Sequence, residues 1–303
     1  MNTPEQAQVQ TEISSDSTAS MSESSSGLTG LEGYISTENL KILTDYQKIL
    51  EEHTTALKAL DGDAKLKKFK FQCQMAVTTP LNAISAVSAS HLRDKLKRLQ
   101  SLLKGQPVEL SNARVAASAH PLGILFCTNL LAQRIVEQGE QTVSSKPESA
   151  FPIAAVTLAL MAEFPLFKDL LFAHFFSHCP YLVPYYVPRT ANMTDHQYYS
   201  AQGYWYNSEG QVEAHDKFLK RMAGTATLYF AILSSKLPRD VTLTPPPTLV
   251  GVTQWCEWFR VASRGLPAEL CQEIEPPSPR WCSATSLLVI SLQLRSHWRC
   301  PNV

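Results

Sequence analysis

The chain has 303 residues, enough for one large domain or two ordinary ones, and 44% are hydrophobic, so most of it can bury a core. Its formal net charge of zero conceals an asymmetry. Residues 1–63 hold eleven acidic residues and three lysines, whereas residues 65–104 hold nine basic residues against Asp94 alone. The basic stretch is either a surface for anions or nucleic acid, or an ordinary solvated helix face.

The cysteine pattern and the apolar runs exclude a disulfide framework and a membrane span. Seven cysteines are scattered without a CxxC pair, which is typical of a reducing compartment. The first thirty residues are rich in Ser, Thr, Glu and Gln and resemble no secretory signal. The longest apolar run, Phe151 to Ala162, is shorter than the ~20 residues of a spanning helix. We expect a soluble protein without membrane insertion, in the cytosol or nucleus.

The first ordered element is predicted to be a helix over residues 37–62. The preceding Ser/Thr-rich residues 1–36 have too few apolar side chains to offset the entropy lost on folding, so we expect them to be disordered. Apolar residues recur in the helix at near-heptad spacing. This strip fits equally the end of a coiled coil and a helix docked on its own domain. Its members are Leu43, Tyr46, Leu50, Leu57 and Leu60.

Four further helices are predicted between residues 90 and 178. The first carries a leucine strip with basic side chains away from it, and Gly139 is expected to end the second. The third is apolar nearly all round and is expected at the centre of the core. Pro165 suits the first turn of the fourth. The predicted spans are Ser90–Lys104, 122–138, Phe151–Phe164 and 165–178.

The remaining pattern indicates an extended segment followed by the longest helix. Residues 179–206 interleave three prolines with seven tyrosines and Trp205, which predicts an extended connection packed across the helices. Ser208 and Gln211 fit a capping box that opens a helix running to about Lys236. Successive short helices joined by Pro and Gly suggest a layered, solenoid-like, all-α domain.

A cluster of three basic residues falls within that last helix. Lys217, Lys220 and Arg221 stand at i, i+3 and i+4, so all three are expected to project from one helical face. Like charges at this spacing repel, and a bound polyanion reverses that penalty because ammonium and guanidinium groups make charge-assisted hydrogen bonds to phosphate. The alternative is a solvated basic turn.

His174 and His178 lie one helical turn apart, next to Cys179. Zinc needs three or four ligands, and the sequence has no second spaced pair, so a metal site is not predicted. The two histidines are read either as core or helix-end residues or as the edge of an anion site.

No catalytic motif is present. The sequence lacks GxxxxGK[ST], GxGxxG, GxSxG, HExxH and a kinase-type HRD, so we predict that the protein is not an enzyme. Direct RNA binding through residues 65–104 and the tyrosine-rich segment is an alternative function, since tyrosines can stack on single-stranded bases. Packing of those tyrosines onto the core is the other interpretation.

Several ordered motifs resemble the GLE-one nucleoporin family, also called the mRNA export factor or mediator family. They occur in that family's order and at about its spacing, over roughly residues 65–260. The motifs are Ala150-Phe151-Pro152-Ile153-Ala154, His174 through Cys179-Pro180-Tyr181, Val183-Pro184-Tyr185, Gly203-Tyr204, Asp216 through Met222, and Leu228-Tyr229.

The resemblance implies an all-helical, HEAT- or MIF4G-like domain that binds inositol hexakisphosphate and stimulates a DEAD-box mRNA-export helicase. It implies action at the cytoplasmic face of the nuclear pore complex, with presence in nucleus and cytoplasm. The implied partners are the helicase, other nucleoporins and translation initiation factors, with RNA bound indirectly. The implied ligands of the polyphosphate are Lys217, Lys220 and Arg221, then His174 and His178, with Arg134 as a weaker candidate.

The resemblance stops near Glu269, after which Pro276-Pro277-Ser278-Pro279 leads into an atypical tail. The expected organisation is a disordered segment over 1–36, a coiled-coil-like helix over 37–62, a polyanion-binding domain over 63–268 and a variant tail over 269–303. The family continues through further helices that help to contact the helicase. An isoform that binds the anion without activating the helicase is therefore an alternative.

Overall fold

In a computed structural model, the described residues are 37–60, 66–85, 88–110, 113–183 and 193–235. These ranges contain eight α-helices and one two-stranded antiparallel ribbon, which pairs β1 (Val108–Glu109) with β2 (Arg114–Val115). The expected all-α class is confirmed. The helices are α1 (Thr37–Leu57), α2 (Lys67–Asn82), α3 (Ala89–Leu103), α4 (Gly123–Gln138), α5 (Ala150–Glu163), α6 (Pro165–His178), α7 (Asp195–Ala201) and α8 (His215–Ser234).

Helix α1 docks onto its own domain. Its apolar strip is buried, and the Tyr46 ring lies 6.3 Å from Phe172 and 5.2 Å from Phe176 of α6, measured between ring centroids. Leu43, Tyr46 and Leu50 belong to the same core cluster as the later helices. Of the two interpretations of this strip, the structure shows intramolecular docking. The segments 1–36 and 269–303, predicted as disordered segment and atypical tail, lie outside the described residues.

Helix α2 was not predicted from the sequence. Its buried positions are small or inconspicuous residues at helical spacing, including Cys73, Ala76, Val77 and Pro80. Two of its large apolar side chains, Phe71 and Met75, are instead exposed. The periodicity was therefore present, but the large side chains did not follow it.

Helices α3 to α6 confirm four predicted spans to within about one residue. Gly139 does not end α4 as expected, because its φ of −58° is helical and the chain continues as a π turn over Gly139–Val143. The reason for glycine there is close packing on α8. A Cβ on Gly139 would lie 2.9 Å from the Cα of Thr225, and one on Gly224 would lie 2.3 Å from the Gly139 carbonyl oxygen.

The core lies between α5, α6 and α8. Phe172, Phe175 and Phe176 of α6 surround Tyr229 of α8, with ring centroids 5.4 to 6.1 Å apart. Helix α5 is buried along most of its length, as its apolar composition predicts, whereas Phe151 in its first turn is 63% exposed.

The segment before α8 differs from the sequence expectation. It contains α7, whose Thr194 and Gln197 form a reciprocal capping box, so the described part of residues 179–206 is not simply extended. Ser208 caps no helix. The Asn207 side-chain oxygen accepts hydrogen bonds from the backbone of Glu209 and Gln211, making a turn, and α8 begins only at His215.

Candidate functional site

The amino end of α8 carries the two exposed lysines of the predicted cluster. Lys217 and Lys220 lie in the first two turns, and neither forms an ion pair with any described residue. No side chain caps this end of the helix. Free backbone N–H groups and the positive end of the helix dipole therefore add to the two ammonium groups. Asp216 lies in the same first turn, so one carboxylate stands against the two ammonium groups and the positive end of the dipole.

Arg221 does not project beside the lysines, and the expectation that it does is wrong. It is 6% exposed, and its Nη2 donates a hydrogen bond of 2.7 Å to the Gly203 carbonyl oxygen and a second to Glu213. Its Nη1 lies 3.5 Å from Oε1 of Glu140. Arg221 thus lies on the side of α8 that faces the core and the preceding loop.

Glu140 lies between two of the predicted site residues, His178 at the end of α6 and Arg221 near the start of α8. It is buried on the π turn after α4, and its Oε1 lies 3.3 Å from Nδ1 of His178 at the end of α6. The same oxygen faces Arg221. We call His178, Glu140, Arg221 and Glu213 the Arg221 network. Within it, two carboxylates balance the guanidinium, because a charge removed from water needs a partner.

His174 lies behind this network and is not a surface cation. It is 2% exposed, and its Nε2 lies 3.0 Å from the side-chain oxygen of Asn129. Burial, with the neighbouring His178 as a smaller cause, lowers the pKa of His174 to about 3. Its imidazole is thus neutral near pH 7, and the position cannot supply a positive charge to an anion.

Arg134 lies on α4 and pairs locally. Its Nη1 donates a 2.6 Å hydrogen bond to Glu137, three residues along the same helix. The side-chain Nε is buried and finds no hydrogen-bond partner among the described residues. An anion bound there would compete with an existing ion pair.

An aromatic segment is held across the start of α8. The Tyr204 ring stacks on Phe218 with centroids 3.7 Å apart and an interplanar angle of 8°, and its hydroxyl lies 2.7 Å from Nδ1 of His215. The Arg221 guanidinium lies 3.9 Å from the Trp205 ring centroid. Gly203 takes a φ of +89°, which favours glycine. Tyr181 also packs on Phe218, so these tyrosines serve the core rather than an open stacking surface.

The structure thus brings together only part of the predicted set. His178 and Arg221 meet through Glu140, and Lys217 and Lys220 lie in the first two turns of α8. Sequence reasoning missed Glu140 and Glu213. Residue spacing does not indicate these two acids. Chemistry does in part, because an arginine predicted on a mostly buried helix requires an acidic partner.

Two properties of the described residues bear on other functions. No three His, Cys, Asp or Glu side chains in the described ranges are grouped so that they could hold a metal ion. The helices of those ranges include none with the length and apolar character needed to cross a bilayer.

Comparison with known proteins begins with a family model. The model described as GLE1-like protein matches residues 45–273, which is well over half of the chain. The matched range contains every predicted site residue.

Individual relatives are mRNA export factors. Drosophila melanogaster Gle1 is 35% identical over 199 residues, covering 66% of this chain and 29% of that protein. The Danio rerio factor is 38% identical over 176 residues, covering 58% and 25%, and the Saccharomyces cerevisiae factor is 30% identical over 120 residues, covering 39% and 22%. The chain therefore spans less than a third of the length of these relatives.

A solved structure shares the fold. It is described as the S. cerevisiae Dbp5 C-terminal domain bound to Gle1 and IP6, and the similarity has a TM-score of 0.63 at 19% identity. The aligned region covers 84% of this chain and 78% of the solved chain. At that identity the likeness shows a common helical fold.

Proposed function

The chain belongs to the GLE1-like protein family, and from that premise we propose that it is a non-enzymatic mRNA export factor. It binds inositol hexakisphosphate at the amino end of α8 and stimulates a DEAD-box RNA helicase that remodels exported mRNPs. The names of its relatives and the IP6-bound complex that shares its fold support this. The observation that carries the site is that Lys217 and Lys220 are exposed and unpaired at an uncapped helix start.

The chemistry of this helix end suits a polyphosphate. Each phosphate oxygen accepts hydrogen bonds from ammonium groups and from free backbone N–H groups, and such charge-assisted bonds are stronger than neutral ones. Two lysines near the positive end of a helix dipole destabilise the unliganded helix. A bound anion removes that repulsion, so binding and local stability are coupled.

The six predicted ligands take different roles in this proposal. Lys217 and Lys220 contact the anion directly, and His178 lies at its edge, where it is already held by Glu140. Arg221 acts as a support that positions the Gly203–Glu213 loop beside the site, because its own charge is already balanced. Arg134 is peripheral, and neutral, buried His174 makes no direct contact.

Partners beyond the helicase rest on the family alone. We propose contacts with other nucleoporins and with translation initiation factors, RNA engagement through the helicase, and action at the cytoplasmic face of the nuclear pore. These partners are carried over from whole relatives, of which the aligned region spans 29% in Drosophila melanogaster and 25% in Danio rerio.

Calorimetry with inositol hexakisphosphate tests the site. The full chain is expected to bind saturably, and the double substitution Lys217→Gln/Lys220→Gln should weaken binding about a hundredfold or more, since each charged hydrogen bond contributes ~1.5–3 kcal/mol. The matched control is Lys67→Gln/Lys97→Gln, which removes two exposed lysines from α2 and α3. No saturable binding, or equal losses in the two double variants, sinks the proposal.

Helicase stimulation needs its own assay. RNA-dependent ATP hydrolysis by a DEAD-box export helicase is measured with the chain, with and without inositol hexakisphosphate. We expect stimulation only when both are present, and none with Lys217→Gln/Lys220→Gln. Saturable anion binding without stimulation would instead identify an isoform that retains the ligand site and lacks activation.

A further inference from the structure

A groove unrelated to the α8 site runs between α2, α3 and the β1–β2 ribbon. Its volume is about 400 Å³, within the ~300–1,000 Å³ typical of ligand sites. Phe71 and Met75 of α2 line it, together with Val108 of β1 and the following Leu110. None of the residues that line it belongs to the Arg221 network or to α8.

The apolar wall of the groove is unusually exposed. Phe71 is 62% exposed and Met75 41%, although the opposite face of α2 is fully used by the core. Exposed apolar side chains grouped in a concave surface with a polar rim mark an interaction site. A methionine beside an aromatic ring is also typical of surfaces that accept apolar side chains of a partner.

The rim of the groove is basic on its helical side. Lys68 of α2 and Arg98 of α3 line it, and Lys67 and Lys97 are exposed beside them. Lys68 has no ion-pair partner among the described residues, and Arg98 has only the exposed Asp94, at 3.4 Å. Asp94 is therefore the one acidic residue of α2 and α3, and the basic residues of these two helices outnumber it.

We propose that this groove binds an amphipathic helical segment of a partner protein. Its apolar side chains, at i, i+3/i+4 and i+7, pack on Phe71 and Met75, and acidic residues along one flank pair with Lys68 and Arg98. Burial of the two exposed side chains supplies affinity, and the basic rim sets the orientation.

Charge and lining favour this occupant over three others. Single-stranded RNA needs several stacking rings and unopposed cations, whereas the groove offers one ring and includes the carboxylate of Glu109. A second copy of the chain would bring the same basic rim against itself. The chain's residues 1–36 carry five acids and no basic residue, but lack the repeated apolar spacing the wall requires.

A selection from a phage-displayed library of random 16-residue peptides, run on the full chain, tests the proposal. Enriched peptides are expected to combine helical apolar spacing with Asp or Glu on one flank. In fluorescence anisotropy they should bind the Phe71→Ala and Lys68→Glu/Arg98→Glu variants at least tenfold more weakly. The matched controls are Phe151→Ala, an exposed phenylalanine elsewhere, and Lys41→Glu/Lys48→Glu, which reverses two exposed charges on α1; both should stay within about twofold.

Four outcomes overturn the proposal. The first is no enrichment of acidic amphipathic peptides, and the second is equal loss in the variants and their controls. The third is competition by a 15-nucleotide uridine RNA with a steep salt dependence. The fourth is that this chain itself fills the groove. Tenfold tighter peptide binding after removal of residues 1–36 would show this, as would a dimer that Phe71→Ala dissociates. Because the substituted groove side chains are exposed, thermal melts should match wild type. Inositol hexakisphosphate binding should persist in these variants, so failure here is separable from failure of the α8 site.

Discussion

The guanidinium of Arg221 packs on the ring of Trp205, whose centroid lies 3.9 Å from it in the loop before α8. On the core side, Nη1 of Arg221 lies 3.5 Å from Oε1 of Glu140. This relationship ties the loop before α8 to the end of α4. Arg221, which the sequence pattern predicts to bind an anion, therefore connects two parts of the fold.

Replacing Arg221 should therefore destabilise the fold and not only weaken anion binding. Arg221→Gln leaves the buried carboxylate of Glu140 and the partly buried carboxylate of Glu213 without their cation, and removing one partner of a buried ion pair lowers the free energy of unfolding by about 3–5 kcal/mol. Urea unfolding is the measurement. Lys220→Gln, one residue away and exposed, is the control and should change stability by less than ~0.5 kcal/mol. Similar losses in the two variants would contradict the network.

The stacking contact itself can be isolated by a double-mutant cycle. Trp205 is 51% exposed, so Trp205→Ala should lower the free energy of unfolding by only about 1 kcal/mol, the scale of a cation–π contact. In an Arg221→Lys background, which keeps the charge but loses the planar group, the cost should shrink. An unchanged cost would show that Trp205 acts through other neighbours.

The contact between the π turn and α8 predicts a steric requirement for glycine. In Gly224→Ala the new Cβ would lie 2.3 Å from the Gly139 carbonyl oxygen and 2.6 Å from the Ser144 nitrogen, both backbone atoms that cannot rotate away. Overpacking of this kind lowers the free energy of unfolding by about 1–3 kcal/mol. Gly210→Asn is the comparison, since no atom lies within 4 Å of its Cβ and Asn tolerates a φ of +74°. Equal melting temperatures would refute the close packing.

His174 predicts a pH dependence of stability. Its folded pKa of about 3 lies below the ordinary unfolded value of about 6.5, so the unfolded state binds the proton first. Stability is complete above pH ~6.5 and falls as pH decreases toward 3, with a slope of up to ~1.4 kcal/mol per pH unit from this group. The difference between wild type and His174→Gln, followed by urea unfolding from pH 7 to pH 4, isolates it. A constant difference across that range would contradict a buried neutral histidine.

Docking of α1 gives a further prediction. Tyr46→Ala removes a buried ring packed on Phe172 and Phe176, and should cost about 3 kcal/mol by analogy with other buried aromatic truncations. Asp45→Ala, exposed on the same helix, should be nearly neutral. Sedimentation distinguishes the two interpretations of the strip: dissociation of an oligomer by Tyr46→Ala would favour a coiled coil over intramolecular docking.

Regular apolar spacing and proline placement allowed α3, α5 and α6 to be predicted, because packing and helix starts follow from local residue types. Local signals failed where distant contacts decide. Ser208 has the right neighbour for a capping box, yet Asn207 forms the competing turn. Glycine at 139 is typical of a helix end. It is instead required there because α8 packs so closely on Gly139 that no side chain would fit. The Arg221 network joins three elements distant in sequence, so no spacing rule could reveal it.

The crossing at Gly139 and Gly224 also has a mechanical consequence. Two backbones in direct contact leave no intervening side chains to yield, so the π turn and α8 move as one stiff joint. Glu140 follows Gly139 immediately, and the two lysines stand only one to two turns before Gly224. A displacement of either lysine is consequently transmitted to the carboxyl end of α4 without being damped by side-chain rearrangement.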